Sequence, residues 1–199
     1  MVSRRSPVSL PPTAISTKIV VAGGFGAGKT TFVRSVSEIE PVTTEALMTD
    51  ASADVDDLAA TPEKATTTVA MDFGRLSLDQ NLVLYLFGTP GQARFWFLWD
   101  DLIRGALGAV VLADPRRLAD SFPAVEYFEN FPGMPFIVAL NCFDGVLPYT
   151  IEDVREALAI GPDIPVLTCD ARDTGSVSHT LTELVRYAMT FTGPPSLVY

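Results

Sequence analysis

The chain has 199 residues, of which 48% are hydrophobic, and its formal net charge is −10. This composition provides enough apolar side chains for one full core and predicts a single folded domain. The largest basic clusters are the pairs Arg4-Arg5 and Arg116-Arg117, so the basic stripe of a nucleic-acid binder is missing and direct attraction to anionic lipid is not expected.

Targeting and redox features agree with a cytoplasmic protein. No apolar run approaches the roughly 20 residues that cross a bilayer, so we expect any membrane contact to go through a partner. The two cysteines, Cys142 and Cys169, form neither a metal spacing nor a disulfide framework, which suits a reducing compartment. We expect a folded domain over residues 18–193, between an N-terminal tail, 1–17, and a C-terminal tail, 194–199.

The first half of the chain carries five predicted elements. Residues 18–22 are a short apolar run that predicts a buried strand, and residues 30–39 have helical spacing that stops before a proline. Residues 43–64 are acidic, show little periodicity and predict a long loop. Residues 66–78 and 82–87 predict two strands joined by a tight turn.

In the second half, strands and helices alternate. In chain order, the pattern predicts a helix over 93–105, a strand over 108–113, a helix over 121–130, a strand over 136–141, a helix over 151–158, a strand over 165–169 and a helix over 176–191. Continuous apolar strands between helices predict a parallel sheet covered on both faces. We therefore expect one α/β domain with a mostly parallel sheet, one antiparallel edge strand and helices on both faces.

A phosphate-loop pattern follows the first predicted strand. Gly23, Gly28, Lys29 and Thr30 complete the pattern GxxxxGK[ST]. In such a loop the backbone N–H groups and the helix N-terminus attract phosphate oxygens, Lys29 supplies a full positive charge, and the Thr30 hydroxyl is placed for Mg²⁺. The other loop residues expected at the phosphates are Phe25, Gly26, Ala27 and Thr31.

The ends of two later strands predict how the base is recognised. Asn141 and Asp144 follow one strand, and a carboxylate there can accept hydrogen bonds from N1–H and the 2-amino group of guanine, a donor pair that adenine lacks. Ala171 and Arg172 follow the next strand, where a backbone N–H can meet the guanine carbonyl. The sequence therefore predicts a site for GTP or GDP with Mg²⁺.

In their order these motifs resemble those of the Ras-like small GTPase superfamily. More narrowly, they resemble the MglA-like prokaryotic small GTPases and, among these, the conservon-type GTP-binding proteins. The resemblance covers roughly residues 18–191 and implies a single P-loop NTPase domain of the small GTPase type. By this match Asn141-x-x-Asp144 corresponds to the usual Asn-Lys-x-Asp motif, with Cys142 in place of lysine, and residues 170–172 correspond to Ser-Ala-Lys.

The resemblance also implies which residues sense and hydrolyse the γ-phosphate. Thr68 would bind Mg²⁺ and the γ-phosphate, Gly91 would donate its N–H to that phosphate, and Gln92 would orient the attacking water. With Lys29, the residues Gln92 and Thr68 are the implied catalytic groups. The family's usual aspartate in the second of these motifs is replaced by Gly88, as is typical of MglA-like proteins.

Two departures predict slow hydrolysis. Phe25 stands where Ras-like members usually need glycine close to the water, and its ring should crowd an incoming arginine. Thr67 stands where MglA-like proteins can carry an arginine of their own, while Arg75 and Arg94 are interpreted as surface charges. We expect a GTP-binding switch with weak intrinsic GTPase activity.

Two other functions remain open. A pseudo-GTPase scaffold that holds nucleotide without hydrolysing it is favoured by Gly88, Phe25 and Cys142, whereas Gln92 and Thr68 favour the switch. An ATP-dependent small-molecule kinase would need a lid with arginines, which the acidic segment 43–64 does not supply.

An aromatic segment, residues 95–99, follows Gln92 directly. Its apolar face at helical spacing combines Phe95, Leu98, Trp99 and Leu102. We expect Phe95, Leu98 and Leu102 in the core. For Trp96 and Trp99, a place in the core and a place on a partner-binding surface both remain open. The resemblance implies a Roadblock/LC7-like partner. Residues 49–64 are either a solvated loop or a lid over the nucleotide.

Overall fold

Seven strands and five α-helices make up the part of the chain that the computed structural model describes, which is residues 15–40, 42–48, 67–78, 81–91, 93–131, 133–145 and 147–191. The strands are β1 (Ile15–Ala22), β2 (Val42–Met48), β3 (Thr67–Ser77), β4 (Leu82–Gly88), β5 (Ala106–Ala113), β6 (Phe136–Asn141) and β7 (Val166–Cys169). The helices are α1 (Lys29–Val36), α2 (Trp99–Ile103), α3 (Phe122–Glu129), α4 (Ile151–Ala157) and α5 (Thr174–Thr190). Short 3₁₀-helices cover Ala93–Leu98, Pro115–Ser121 and Phe143–Gly145.

The strands form one sheet in the order β2-β3-β4-β1-β5-β6-β7. Five neighbouring strands run parallel, namely β4, β1, β5, β6 and β7, and β3 runs antiparallel to both of its neighbours. This confirms the predicted α/β domain with a mostly parallel sheet. The antiparallel strand lies one place inside the edge, because β2 pairs along its outer side.

Strand β2 corrects the prediction of a loop over 43–64. The sequence VTTEALM pairs with β3 in a register that runs from Val42 opposite Phe73 to Met48 opposite Thr67. Its β-branched residues suit an edge strand, but the acidic residues that follow lowered the apparent hydrophobic periodicity of the whole segment. Residues 49–66 lie outside the described residues, as do the tails 1–14 and 192–199.

Each face of the sheet carries its own core, as the prediction of helices on both faces requires. Successive residues of β1 alternate between them: Ile19 and Val21 face α1 and α5, while Val20 and Ala22 face α2, α3 and α4. All four of these side chains are fully buried. Because β1 is packed on both faces, it holds the start of the loop that follows it, residues 23–28, in a defined position.

The helix predicted over 93–105 is a 3₁₀-helix followed by α2. Phe95 and Leu102 are buried as expected, and Trp99 is also buried, with its ring centroid 5.1 Å from that of Tyr127. Of the two places left open for Trp99, the structure shows the core, in agreement with its position on the apolar face of the helix. Trp96 and Phe97 are exposed. No helix within the described ranges has both the length and the hydropathy to cross a membrane.

Candidate nucleotide-binding site

Several chain segments meet at one edge of the sheet. Strands β1, β4, β5, β6 and β7 are parallel, so their carboxyl ends lie together, and ligands of open α/β sheets bind in the crevice outside those ends. The segment between β1 and α1, residues 23–28, is the predicted phosphate loop. The loops after β5, β6 and β7 surround it.

The phosphate loop requires glycine at positions that the motif predicts. Gly28 precedes α1 with φ of 103°, and a Cβ there would come 2.5 Å from Nδ2 of Asn141. Gly23 has φ of 138° and lies against the backbone of Leu112. Helix α1 has no side-chain cap and no acidic residue in its first turn, so its first N–H groups are available to an anion. Such a cradle fits the phosphates of a nucleotide.

Lys29 is folded back over this loop. Its Nζ donates hydrogen bonds to the carbonyl oxygens of Gly23 at 2.8 Å and Gly24 at 2.7 Å, and the residue is only 8% exposed. Burial lowers the pKa of Lys29 to about 8, and the charge of Asp72 partly opposes this shift. A bound phosphate would stabilise the protonated amine.

Thr30 and Asp72 bring two oxygen donors together beside Lys29. The Thr30 hydroxyl donates to Oδ2 of Asp72 at 2.5 Å. Hydroxyl and carboxylate oxygens are the ligands that Mg²⁺ prefers, so the pair fits the ion that the sequence predicts there. No cluster of three or more His, Cys, Asp or Glu side chains suited to a metal occurs in the described ranges. Thr31 is exposed on the next position of α1.

Asp72 is a site residue that sequence reasoning missed. It lies on β3 directly opposite Gly88 of β4, where the related motif carries an aspartate. Residues at equal distances from the predicted turn at 79–81 pair with each other, and Asp72 and Gly88 are such a pair. The register of the hairpin was therefore the signal that could have identified Asp72.

Asn141 connects the phosphate loop with the loop after β7. Its Nδ2 donates to the Ala27 carbonyl at 2.9 Å, and its Oδ1 accepts from the Ala171 N–H at 3.1 Å. The residue is 3% exposed. The structure thus brings three predicted site residues into one buried network.

Arg172 is held at the surface beside that network. Its guanidinium forms an ion pair with Asp170 at 3.1 Å, and the side chain is about half exposed. This pairing lowers the pKa of the Asp170 carboxyl. Asp144 lies in the short 3₁₀-helix Phe143–Gly145 after β6, and its side chain is outside the described part.

The loop after β5 braces the phosphate loop, which the sequence did not predict. Asp114 is 2% exposed and accepts hydrogen bonds from the side chain of Arg116 at 2.9 and 2.8 Å, which lowers the pKa of its carboxyl. Arg117 donates from a terminal nitrogen to the Phe25 carbonyl at 2.8 Å. The pair Arg116-Arg117 at the carboxyl end of a strand was the available signal.

The segment after β4 closes the site against the phosphate loop. A Cβ at Gly91 would come 2.7 Å from Nζ of Lys29 and 3.0 Å from the backbone of Phe25, so a larger residue there would displace the Lys29 amine and press on the phosphate loop. The ring of Phe25 is 67% exposed. Gln92 lies outside the described residues, and for Thr68 only the backbone, within β3, is described.

Thr89 is a further residue of this segment that sequence reasoning did not single out. Its N–H donates to the Val21 carbonyl at 2.9 Å, which ties the segment to β1. Its hydroxyl is buried and has no hydrogen-bond partner among the residues that the structure describes.

This fold and this loop define a single P-loop NTPase domain with the fold of the small GTPases. Residues 21–191 match the family described as "conserved hypothetical ATP binding protein", and the chain belongs to that family.

Solved structures share the fold. The G domain of the T. maritima FeoB iron transporter superposes with a TM-score of 0.61 at 16% identity, covering 87% of this chain and 99% of that one. The Arl6 BBS3 small GTPase from Trypanosoma brucei, solved with the nucleotide analogue GppNp, superposes with a TM-score of 0.62 at 17% identity, covering 88% and 99%.

Curated relatives match over shorter stretches. The Ras-related protein SEC4 of Candida albicans is 25% identical over 127 residues, which is 59% of this chain and 60% of SEC4. The uncharacterized protein MJ1339 of Methanocaldococcus jannaschii is 30% identical over 100 residues, 50% of this chain and 52% of the relative. The match therefore spans only about half to three fifths of these relatives.

Proposed function

We propose that this protein is a GTP-binding molecular switch that hydrolyses GTP to GDP slowly. The observation that carries the proposal is the position of Asn141, whose amide joins the phosphate loop at Ala27 to the loop after β7 at Ala171. A ligand that bridges these loops has phosphates at one end and a base at the other. A nucleoside di- or triphosphate has that shape.

The phosphate end of the site is supported by the charges and donors around α1. The Lys29 amine donates hydrogen bonds to two carbonyl oxygens of the phosphate loop, and we expect a nucleotide to draw it onto the β- and γ-phosphates. Gly23, Gly26 and Gly28 allow the backbone N–H groups to face the same phosphates. Mg²⁺, when bound, neutralises charge on the phosphate oxygens, with Thr30 and Thr68 as its proposed protein ligands.

The base end distinguishes GTP from ATP. The family description names ATP, whereas Asp144, three residues after Asn141, favours guanine because a carboxylate pairs with two donors that adenine lacks. The structures with the same fold include a small GTPase bound to GppNp. We propose guanine, with Ala171 and Arg172 completing the base pocket.

Slow hydrolysis is supported by the surroundings of Phe25. Its exposed ring stands at the rim of the phosphate loop, where it can obstruct an arginine supplied by another protein. Gln92 is the proposed residue that orients water, and Gly91 the proposed γ-phosphate sensor. If Gln92 does not act, the protein is a nucleotide-binding scaffold, the alternative that Phe25 and Gly88 favour.

Trp96 and Phe97 support a partner-binding role for the segment after Gln92. Both are large apolar side chains that remain exposed, at 39% and 50%. Aromatic residues beside a γ-phosphate sensor can make partner binding depend on the nucleotide. The resemblance to MglA-like proteins suggests a Roadblock/LC7-like partner in the cytoplasm, which would also provide any contact with a membrane.

The identity of the nucleotide is tested by chromatography of what the purified protein releases, together with calorimetry using GTP, GDP and ATP. We expect guanine nucleotides to bind and Lys29→Ala to abolish binding. Preferential binding of ATP would contradict the guanine assignment, and binding that survives Lys29→Ala would contradict the site.

Hydrolysis is tested separately by single-turnover measurement with GTP. The switch predicts slow release of phosphate that Gln92→Ala reduces further. GTP that stays intact over hours, with and without a Roadblock/LC7-like protein, would favour the scaffold. Fast hydrolysis by the protein alone would show that Phe25 does not restrain the reaction.

A further inference from the structure

Asp72 occupies the space that a side chain on β4 would otherwise fill. The antiparallel register places it directly opposite Gly88. A Cβ built on Gly88 would lie 3.1 Å from Cβ and 3.3 Å from Oδ2 of Asp72. A side chain at position 88 would therefore have to push the Asp72 carboxylate aside.

The carboxylate is directed at the phosphate-binding elements. Its Oδ2 accepts the hydrogen bond of the Thr30 hydroxyl at 2.5 Å, and its negative charge partly offsets the effect of burial on the pKa of Lys29. Both partners belong to the first turn of α1. The group thus lies between the phosphate loop and the end of β4.

We propose that Asp72 supplies the carboxylate of the Mg²⁺ site in this protein, delivered from β3 in place of a residue at position 88. The inference rests on the proposed function, because it assumes that a nucleotide phosphate binds beside Lys29 and Thr30. It assigns a metal-site role to a residue outside the motif at 88–92.

Electrostatics separates this role from a purely structural one. Without a cation, the negative charge of Asp72 would repel the phosphates of a bound nucleotide, since like charges this close destabilise each other. With Mg²⁺ between them, the same charge becomes attractive. Asp72 should therefore weaken nucleotide binding in the absence of Mg²⁺ and strengthen it in the presence of Mg²⁺.

The test compares the affinity for GDP in excess Mg²⁺ and in excess EDTA, by calorimetry on the full chain. We expect Asp72→Asn to lower affinity about tenfold or more in Mg²⁺, the effect of losing one charged interaction, and to leave affinity in EDTA unchanged or higher. Asp101→Asn is the matched control, because Asp101 is an exposed carboxylate in an ion pair with Arg104, remote from the phosphate loop in sequence. It should change neither affinity.

A second variant moves the carboxylate from one strand to the other. Gly88→Asp alone sets two carboxylates against each other and should weaken Mg²⁺-dependent binding. The double variant Asp72→Gly/Gly88→Asp should restore most of the Mg²⁺ dependence that Asp72→Gly loses. Electron paramagnetic resonance of Mn²⁺ added to the GDP-bound proteins provides a direct readout of the ion, with free Mn²⁺ rising in Asp72→Asn.

Equal losses of affinity in Mg²⁺ and EDTA would overturn the inference, because they would show that Asp72 only supports the fold around Thr30. An unchanged Mn²⁺ signal in Asp72→Asn would overturn it as well. If the unmodified protein bound no nucleotide under either condition, the proposed function would fail first. If it bound ADP rather than GDP, the same comparison with ADP would still decide the role of Asp72.

Discussion

The side-chain amide of Asn141 donates a hydrogen bond of 2.9 Å to the carbonyl oxygen of Ala27, joining two positions that are 114 residues apart in the chain. The same side chain accepts from the N–H of Ala171. A single buried residue therefore fixes the distance between the phosphate loop and the end of β7. Both the stability of the domain and the shape of its site depend on this contact.

Replacing Asn141 with alanine should destabilise the protein by about 2–4 kcal/mol, because a buried carbonyl and a buried N–H both lose their partner. Urea unfolding measures the change. Asn130→Ala is the control, since Asn130 makes a comparable hydrogen bond to the Glu126 carbonyl at an exposed helix end, and it should cost about 0.5 kcal/mol or less. Equal losses in the two variants would contradict a buried bridging role.

Nucleotide binding should take up a proton at Lys29. Burial lowers the pKa of Lys29 to about 8, so the amine loses its proton as pH rises through that value. Phosphate favours the protonated form, hence affinity should fall above about pH 8 and little proton uptake should occur well below it. Calorimetry in buffers of different ionisation enthalpy counts the protons.

The control for this titration is Cys142→Ser. Burial raises the pKa of the Cys142 thiol, which makes it the other group near the predicted base site that could exchange a proton in alkaline solution. Uptake that persists in Cys142→Ser supports Lys29 as the acceptor. Uptake that disappears would assign the proton to the thiol.

The two tryptophans should differ sharply in their contribution to stability. Trp99 is 2% exposed and packs against Tyr127 and Phe128, so Trp99→Ala should cost about 3–5 kcal/mol. Trp96 is exposed, and Trp96→Ala should cost about 0.5 kcal/mol. Chemical unfolding followed by circular dichroism gives both values. A large loss in Trp96→Ala would show that this ring belongs to the core rather than to a binding surface.

Thr89→Val should raise the free energy of unfolding by about 1 kcal/mol. The Thr89 hydroxyl is buried without a hydrogen-bond partner among the described residues, and removing such a group relieves its desolvation cost. Thr180→Val is the matched control, because the buried Thr180 hydroxyl donates to the Ser176 carbonyl at 3.0 Å, and the variant should lose stability. Destabilisation of both variants would mean that the Thr89 hydroxyl is hydrogen-bonded in solution.

Most of the fold could be predicted from sequence because its strands are continuous apolar runs separated by helical spacing. The five parallel strands and the hairpin follow from that alternation. Strand β2 could not be predicted in the same way, since Val42–Met48 is stabilised by pairing with β3 rather than by an apolar pattern of its own. The burial of Trp99 agrees with its helical spacing from Phe95 and Leu102, whereas the residue types do not specify the 3₁₀-helix that precedes it.

The residues of the candidate site also differ in whether a local sequence pattern predicts them. Lys29 and Thr30 follow from a contiguous motif, and their surroundings agree with it. The contact of Arg117 with the Phe25 carbonyl joins loops 92 residues apart, and no local pattern encodes it. Asp72 lies between these two cases. The hairpin register pairs it with Gly88, so its position could be predicted, but Asp72 itself is not part of the motif that contains Gly88.

The register of β3 against β4 limits which insertions and deletions this protein can accept. Side chains alternate between the two faces of a strand, so a shift of one residue moves every following side chain to the opposite face. Deleting one residue between Asp72 and the turn would leave β3 paired but would turn the carboxylate away from Thr30. Insertions and deletions are therefore compatible with this contact only where they preserve the number of residues from the turn to Asp72 and from the turn to Gly88.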